Sequence, residues 1–209
     1  MRNPIVGGPF IPTCTAAEAL ARLKSGNSRF VRGKVHFPTV QKEVLADLVK
    51  GQKPYATILG CSDSRVPPEL VFGAGLGDLF IVRVAGNVLG ASIAGTLQYA
   101  SAYLHTPLFV VMGHHGCGAV QAAIAAKFHG ARPPGRIRAL LANILPALDD
   151  LDATLPPAQL LQAAVESNVR RTMRLLLDSP EGMARSREGT VKLVGAVYEL
   201  ESGLVRFLD

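Results

Sequence analysis

Three short apolar runs alternate with helix-like stretches in the middle of this chain, and this alternation restricts the possible folds more than any other feature. The runs are "YATILG", "DLFIVRV" and "PLFVVMG", rich in β-branched and aromatic residues, and each ends near Gly, Cys or Asn. Such runs are typical of buried parallel strands. The helix-like stretches "GASIAGTLQYASAYL", "GAVQAAIAAKFHG" and "IRALLANILPAL" lie between and after them. Strands that alternate with helices predict an α/β domain with a mostly parallel central sheet.

The two ends of the chain add further elements to this domain. Near the start, Thr15 and Glu18 match a capping box before the helical stretch "AAEALARLKSGNSRFV", and a second amphipathic stretch, "VQKEVLADLVKG", follows. A long helix is predicted after Pro156 and Pro157, through "AQLLQAAVESNVRRTMRLLLD". The final "VKLVGAVYELESGLVRFL" predicts a strand, a Glu-Ser-Gly turn and an edge strand.

The domain organisation follows from the length of the chain and from its even composition along the sequence. No repeat, low-complexity tract or convincing linker interrupts the 209 residues, a length suited to one good-sized core. We therefore predict a single domain over residues 1–209, with an N-terminal helical arm over 1–50 and an α/β core over 51–209. The sheet is expected to hold four parallel strands and a C-terminal antiparallel edge strand, flanked by helices.

Composition limits the partners of this domain. There are 22 basic and 16 acidic residues, a net charge of +6, but the basic residues are scattered and only "NVRRTMR" is dense. We interpret the charge as a solvated surface and predict no nucleic-acid partner. No apolar run approaches the ~20 residues of a membrane helix, so no membrane partner is predicted either. The first residues lack the apolar core of a signal peptide, which predicts a cytoplasmic location, or export if a leader has been removed.

Cysteine and histidine fall at matching positions on two of the predicted strands. Cys61 closes the first apolar run and His114 closes the third, and ligands bind outside the carboxyl ends of the strands in such sheets. Cys117 lies three residues after His114, so a strand end and the first turn of a helix can aim both inward. Zinc favours thiolate and imidazole ligands, and a catalytic site leaves one position open. The pattern predicts one zinc ion per chain, rather than cysteines that act only as small hydrophobes.

A charged pair follows the first of these cysteines. Asp63 and Arg65 are two residues apart, and a carboxylate held by a guanidinium stays ionised and oriented. Such a carboxylate can accept a hydrogen bond from metal-bound water or take the fourth zinc position itself. The alternative is a surface ion pair worth only about 0–1 kcal/mol. The position directly after Cys61 favours the functional interpretation.

These motifs carry a resemblance to a known family. The segments "CSDSRVPPE" and "GHHGCGAV", with "GDLFIVRVAGN" between them, closely resemble the β-class carbonic anhydrases, and the resemblance runs from about Ala16 to the final "VGAVYELESGLVRF". It implies a zinc lyase (carbonate dehydratase) that converts carbon dioxide and water reversibly to bicarbonate and a proton. Cys61, His114 and Cys117 match the zinc ligands. Asp63 and Arg65 match the dyad that orients the zinc-bound hydroxide.

The resemblance also implies a set of substrate-binding residues. Gln52 matches a glutamine that hydrogen-bonds the substrate, Phe80 and Tyr99 match residues that line the apolar carbon dioxide pocket, and Gly118 matches a backbone donor beside the zinc. In the family the pocket residues come partly from a neighbouring subunit, which implies a homodimer or a dimer of dimers (a homotetramer). The alternative for Gln52 is an ordinary exposed loop residue, and ordinary core packing explains the two aromatic residues almost as well.

Two other functions remain open from the sequence. A carbonyl sulfide or carbon disulfide hydrolase on the same scaffold would use an identical ligand set. The second alternative is a non-catalytic zinc protein whose site is structural or whose basic surface binds nucleic acid. A structural site needs four protein ligands, and the sequence offers a fourth only through Asp63.

One departure from part of the family concerns regulation. Some bacterial members are inhibited by bicarbonate in a pocket built from Trp, Arg and Tyr, which draws the dyad arginine away from its aspartate. Arg83 and Tyr198 match two of these residues, but Ile58 occupies the Trp position and the chain contains no tryptophan. Isoleucine has no N–H to donate, so we predict weak bicarbonate binding there and an Asp63 that stays paired with Arg65.

Overall fold

A five-stranded sheet organises the part of the chain that the structure describes. The structure is a computed structural model and describes residues 14–35, 45–46, 48–189 and 191–208. The strands are β1 (Ala56–Gly60), β2 (Leu79–Arg83), β3 (Leu108–His114), β4 (Lys192–Tyr198) and β5 (Val205–Leu208). Their order across the sheet is β2-β1-β3-β4-β5. The first four are parallel and β5 pairs with β4 in the antiparallel direction, which confirms the predicted fold class.

Helices pack on both sides of this sheet. They are α1 (Ala16–Val31), α2 (Pro68–Val71), α3 (Ala91–Ala102), α4 (Gly118–Phe128), α5 (Gly135–Leu141), α6 (Pro157–Leu177) and α7 (Pro180–Glu188). Two short 3-10 turns, Ala85–Asn87 and Leu145–Leu148, connect some of them. None of the helices in the described ranges has both the length and the apolarity needed to cross a membrane.

The first helix begins as its sequence predicts. The Oγ1 of Thr15 accepts a hydrogen bond from the backbone N–H of Glu18 at 3.2 Å, and the Glu18 carboxylate accepts one from the backbone N–H of Thr15 at 2.7 Å. The capping box is therefore confirmed. Ala19 and Leu23, one turn apart, are fully buried against the sheet.

Strand alternation divides the interior into two layers. Residues that share the face of Leu59 and Val111 pack against α3, α4 and α6, whereas the face of Ile58 and Val110 packs against α1 and α2. Because side chains alternate along a strand, a residue at the end of β1 or β3 is assigned to one layer by its parity. Cys61 shares the parity of Leu59 and lies in the layer of α4 and α6.

Two predicted helices need comment: one ends earlier than expected, and the other lies partly outside the described residues. The pattern of "IRALLANILPAL" is helix-like throughout, but α5 ends at Leu141 and a 3-10 turn follows over Leu145–Leu148. Pro146 lies within that turn, where its missing N–H and fixed φ suit a new first turn better than a helix interior. Half of "VQKEVLADLVKG" lies outside the described residues, so the predicted second N-terminal helix stays a prediction.

Candidate metal centre

Three soft donors converge at the carboxyl edge of the sheet. Cys61 directly follows β1, His114 is the last residue of β3, and Cys117 caps α4. One ligand atom from each lies within 4.8 Å of the others, and all three residues are buried. The two sulfur atoms are 4.0 Å apart. The strand ends thus bring together the three residues that the sequence predicts as metal ligands.

Hydrogen bonding fixes which nitrogen of His114 is free. Its Nδ1 lies 2.9 Å from the carbonyl oxygen of His115, an arrangement in which Nδ1–H donates. Nε2 is buried and has no hydrogen-bond partner among the described residues. A buried polar atom without a partner costs about 1–3 kcal/mol, and a metal ion would satisfy it. An imidazole oriented through its other nitrogen, beside two thiols, is the donor set that fits zinc.

The two thiols are not equivalent. Cys117 lies beside Cys61, and its S–H lowers the pKa of the Cys61 thiol to about 4, with further help from His114 and the amide of Gly86. The pKa of Cys117 is raised in turn, because its proton is held by the Cys61 thiolate and because the group is buried. The two thiols therefore share one proton, and a cation that displaces this proton would be held by two thiolates.

The Asp63–Arg65 pair lies next to these donors. Arg65 donates from Nε to one carboxylate oxygen at 2.9 Å and from its NH2 nitrogen to the other at 2.7 Å, and its backbone N–H adds a third bond at 3.0 Å. These bonds, first those of the guanidinium, hold the pKa of Asp63 well below its usual range. An Asp63 oxygen also lies 3.8 Å from Nε2 of His114. The carboxylate thus stays ionised beside the nitrogen that a metal would use.

Glycines around the donors serve different purposes. Gly113 allows α6 to approach β3, since a Cβ there would lie 2.8 Å from a methyl group of Val169. Gly116 turns the chain between His114 and Cys117 with a φ of 67°. Gly118 is the first residue of α4, where backbone N–H groups have no partner within the helix.

The predicted substrate residues lie elsewhere on the same chain. Phe80 pairs with Thr57 in the strand register, so it lies about 13 Å along the sheet from Cys61 at 3.3 Å per residue. The Phe80 ring is 6.3 Å from the ring of Tyr99, which is 42% exposed. Gln52 is exposed and precedes β1, at the opposite end of that strand from Cys61. Within one chain, the structure does not bring these three residues to the metal cluster.

Residues that match the regulatory pocket of some relatives have other surroundings. Arg83 donates from Nε to the carbonyl oxygen of Cys61 at 2.9 Å and from NH2 to the carbonyl oxygen of Asp63. Ile58 is fully buried, and Tyr198 is only 5% exposed. The Arg83 guanidinium thus braces the backbone that carries both a thiol and the dyad carboxylate.

Comparisons with known proteins agree on one family. The sequence profile described as "Carbonic anhydrase" matches residues 56–205. Carbonic anhydrase 2 of Mycobacterium tuberculosis is 37% identical over 194 residues, which cover 92% of this chain and 93% of that protein. The carbonic anhydrase of Mycolicibacterium smegmatis is 36% identical over 197 residues, 93% of this chain and 94% of that protein. The structure of the β-carbonic anhydrase CafA of Aspergillus fumigatus matches with a TM-score of 0.74 at 26% identity, over 92% of this chain and 90% of that one. The chain belongs to the β-class carbonic anhydrase family.

In this β-class carbonic anhydrase chain, one contributor to the site has no recognisable signature in the sequence. The backbone N–H of Gly86 lies 3.4 Å from the Cys61 sulfur and donates to it. Gly86 belongs to the turn after β2, 25 residues from Cys61. The segment "GDLFIVRVAGN" contains it, but a glycine among apolar residues carries no local sign of a bond to sulfur.

Proposed function

We propose that this chain catalyses the reversible hydration of carbon dioxide to bicarbonate and a proton, with one zinc ion held by Cys61, His114 and Cys117. The observation that carries the proposal is the convergence of three buried soft donors beside the paired Asp63 and Arg65. The family to which the chain belongs supports the same reaction. Three protein ligands leave a position open for chemistry, whereas a structural site would be closed by four.

Zinc, when bound, supplies a Lewis acid that lowers the pKa of water. Two thiolates weaken this effect compared with neutral imidazoles. The rate should therefore rise towards mildly alkaline pH. The chain's own groups orient the reactants. An ionised carboxylate only accepts hydrogen bonds, so Asp63 accepts one from the attacking water or hydroxide and fixes the direction of its lone pair. Arg65 holds that carboxylate through two bonds from its side chain and keeps it from turning towards the donors.

Backbone and amide donors complete the proposed site. The N–H of Gly118, at the start of α4, is placed to stabilise negative charge on a product oxygen, as unpaired amides at helix starts do. Gln52 is assigned the same task through its side-chain amide. Phe80 and Tyr99 form an apolar wall that holds carbon dioxide and excludes water.

The position of these residues supports assembly. Gln52, Phe80 and Tyr99 lie away from the metal donors of their own chain, and Tyr99 is 42% exposed beside a partly buried Phe80. We infer that a second copy supplies them, so the functional unit is a homodimer or a dimer of dimers. Each site would then combine the donors of one subunit with the aromatic wall of its partner.

The test combines metal analysis with two substrate assays. Purified protein should contain one zinc per chain and should hydrate carbon dioxide faster as the pH rises from 6.5 to 8.5, measured by stopped flow with a pH indicator. Carbonyl sulfide hydrolysis is assayed in parallel on the same preparation. Full activity in a metal-free preparation would contradict the proposal, and so would hydrolysis of carbonyl sulfide without hydration of carbon dioxide.

A further inference from the structure

A strained turn presents the amide that contacts the Cys61 sulfur. Gly86 and Asn87 are consecutive residues in the left-handed region, with φ of 69° and 44°. Asparagine tolerates this conformation better than most residues, yet such positions cost about 1–3 kcal/mol and persist only where the surroundings impose them. The turn is also closely packed, since a Cβ on Gly86 would lie 2.7 Å from Cδ1 of Ile144. Some part of the molecule must therefore hold this turn in place.

Helix α6 holds the turn from behind. The side-chain amide of Asn168 donates from Nδ2 to the carbonyl oxygen of Gly86 at 2.8 Å. Thr172 donates from Oγ1 to the carbonyl oxygen of Asn87 at 3.3 Å. The two side chains are four residues apart, so they share one face of the helix. Asn168 is 2% exposed and Thr172 is 3% exposed, and burial makes each unmet carbonyl more costly than at the surface.

The same helix is anchored to the other strand that carries a donor. Val169 and Val165 approach β3 so closely that a Cβ on Gly113 would lie 2.8 Å and 3.1 Å from their methyl groups. Gly113 directly precedes His114. One face of α6 therefore contacts the strand of the imidazole donor and also the turn that donates to the thiolate.

We propose that Asn168 is a positioning residue for the metal centre: by holding the carbonyl oxygen of Gly86 it fixes the left-handed backbone conformation of that residue, so that the Gly86 N–H stays directed at the Cys61 sulfur. The inference rests on the proposed function, since it assigns a role towards the same metal. A hydrogen bond to a thiolate withdraws charge from the sulfur and orients its lone pairs. Such outer partners typically set metal affinity or activity by about 10–100-fold. Thr172 assists through the next carbonyl, over a longer bond.

The experiment replaces the donor and observes the sulfur through the metal. The full-length Asn168→Leu variant has a side chain of similar volume and no donor. Its dissociation constant for Zn²⁺, measured by competition with a chelator, should rise by about 10–100-fold. With Co²⁺ as the probe, the sulfur-to-cobalt charge-transfer band should move to longer wavelength, because a thiolate that loses a hydrogen bond donates charge more readily. Thr172→Val should shift the same band in the same direction by a smaller amount.

A neighbouring residue provides the matched control. Ser167 lies on the same helix and donates from Oγ to the carbonyl oxygen of Ala147 at 2.6 Å, outside the turn. Ser167→Ala removes one side-chain-to-backbone bond of the same kind and should leave both metal readouts at wild-type values, even if the melting temperature falls.

Each result decides the inference. A folded Asn168→Leu variant with an unchanged band and unchanged zinc affinity would overturn it, and so would equal changes in Ser167→Ala. If Asn168→Leu does not fold, Thr172→Val decides, and an unmoved band there overturns the inference. Wild-type protein that binds neither metal would overturn the proposed function and this inference together. Wild-type metal binding with unmoved variants would overturn the inference alone.

Discussion

The metal cluster and the aromatic pair are two regions of one predicted site. A single chain completes the metal cluster, but it leaves the aromatic pair away from that cluster and partly exposed. Cys61, His114 and Cys117 are buried, and their donor atoms lie within 4.8 Å of one another. Phe80 and Tyr99 contact each other at 6.3 Å between ring centroids, but Tyr99 is 42% exposed. One region is closed by its own fold, and the other presents apolar surface.

This difference shows what local sequence and sheet topology can specify. Parallel strands bring their carboxyl ends to one edge by necessity, so donors placed at two strand ends meet within one chain. The two aromatic residues lie on β2 and α3, and Phe80 is near the amino end of its strand. Their proposed role therefore depends on contact with a second copy. Changing residues in each region tests whether the two regions belong to one site.

The largest expected effect comes from removing a donor from the closed region. Cys61→Ser replaces a sulfur donor by a hydroxyl, which zinc binds poorly as a ligand. We expect loss of most of the zinc and of nearly all carbon dioxide hydration. Stability should fall as well, because the free energy of metal binding stabilises the folded chain. Zinc is measured by elemental analysis, and stability by thermal unfolding of metal-loaded protein.

Cys14→Ser is the matched control for this change. Cys14 is a free thiol on the N-terminal side of α1 and is not one of the three clustered donors. It should retain zinc and activity. Wild-type zinc content in Cys61→Ser would show that the cluster is not the metal site.

The second prediction separates orientation from metal binding within the closed region. Arg65→Ala removes the two guanidinium bonds to Asp63 and leaves all three donors intact. We expect zinc to stay bound while kcat falls by about 10²-fold, the cost of misplacing a reacting group by about 1 Å. Arg185→Ala, which breaks the exposed pair with Glu188, is the control and should have wild-type activity. A wild-type rate in Arg65→Ala would remove Arg65 from the mechanism.

The pH dependence of this variant has a definite sign. Arg65 depresses the pKa of Asp63 in the folded protein, so the pair stabilises the fold above the ordinary Asp pKa of about 3.9. That contribution is lost as the pH falls through the depressed value. Arg65→Ala should therefore be less stable than wild type at neutral pH, and the difference should shrink at low pH, as measured by urea unfolding. Equal stability at neutral pH would contradict the assigned pair.

Features with a local signature were predictable from the sequence, and features set by distant contacts were not. The capping box of Thr15 and Glu18 and the parallel strands each depend on residues close together in the chain, and the structure confirms them. The contact of Asn168 with Gly86 joins residues 82 apart, and no spacing rule reveals it. The helix break near Pro146 does have a local sign, because proline lacks the N–H that a helix interior needs, although the apolar periodicity continues across it. The roles of the individual site residues stay predictions.

The third prediction joins the two regions across subunits. Phe80→Ala removes half of the aromatic wall and should lower kcat/KM by about 10–100-fold with zinc retained. If the wall serves the neighbouring subunit, a mixed dimer of Phe80→Ala with Cys61→Ser contains one intact site, since both changes fall in the other. Random mixing makes half of the dimers mixed, so about a quarter of wild-type activity should return. A control mixture combines Cys61→Ser with Phe128→Ala. Phe128 is a partly buried aromatic residue on α4.

Two affinity tags demonstrate that the mixture of Phe80→Ala and Cys61→Ser contains mixed dimers. If such a mixture recovers no activity, the two regions do not form one site across subunits. The aromatic pair would then be an ordinary subunit contact or an unrelated surface, and the proposed site would have to be completed within one chain.

The smallest expected effect concerns bicarbonate, which would have to act on the metal cluster through Arg83. Both guanidinium donors that face the site are engaged with backbone carbonyls of Cys61 and Asp63, and Ile58 provides no N–H to help bind an anion. We therefore expect simple inhibition by bicarbonate with a Hill coefficient of about 1, compared with sodium chloride at equal ionic strength. Steep cooperative inhibition would contradict this, as would a crystal structure at pH 7.5 in which Asp63 has left Arg65 to bind the metal. Either result would contradict weak bicarbonate binding beside Ile58 and an Asp63 that stays paired with Arg65, because the bonds of Arg83 to the backbone of Cys61 and Asp63 would then not suffice to keep the metal cluster open.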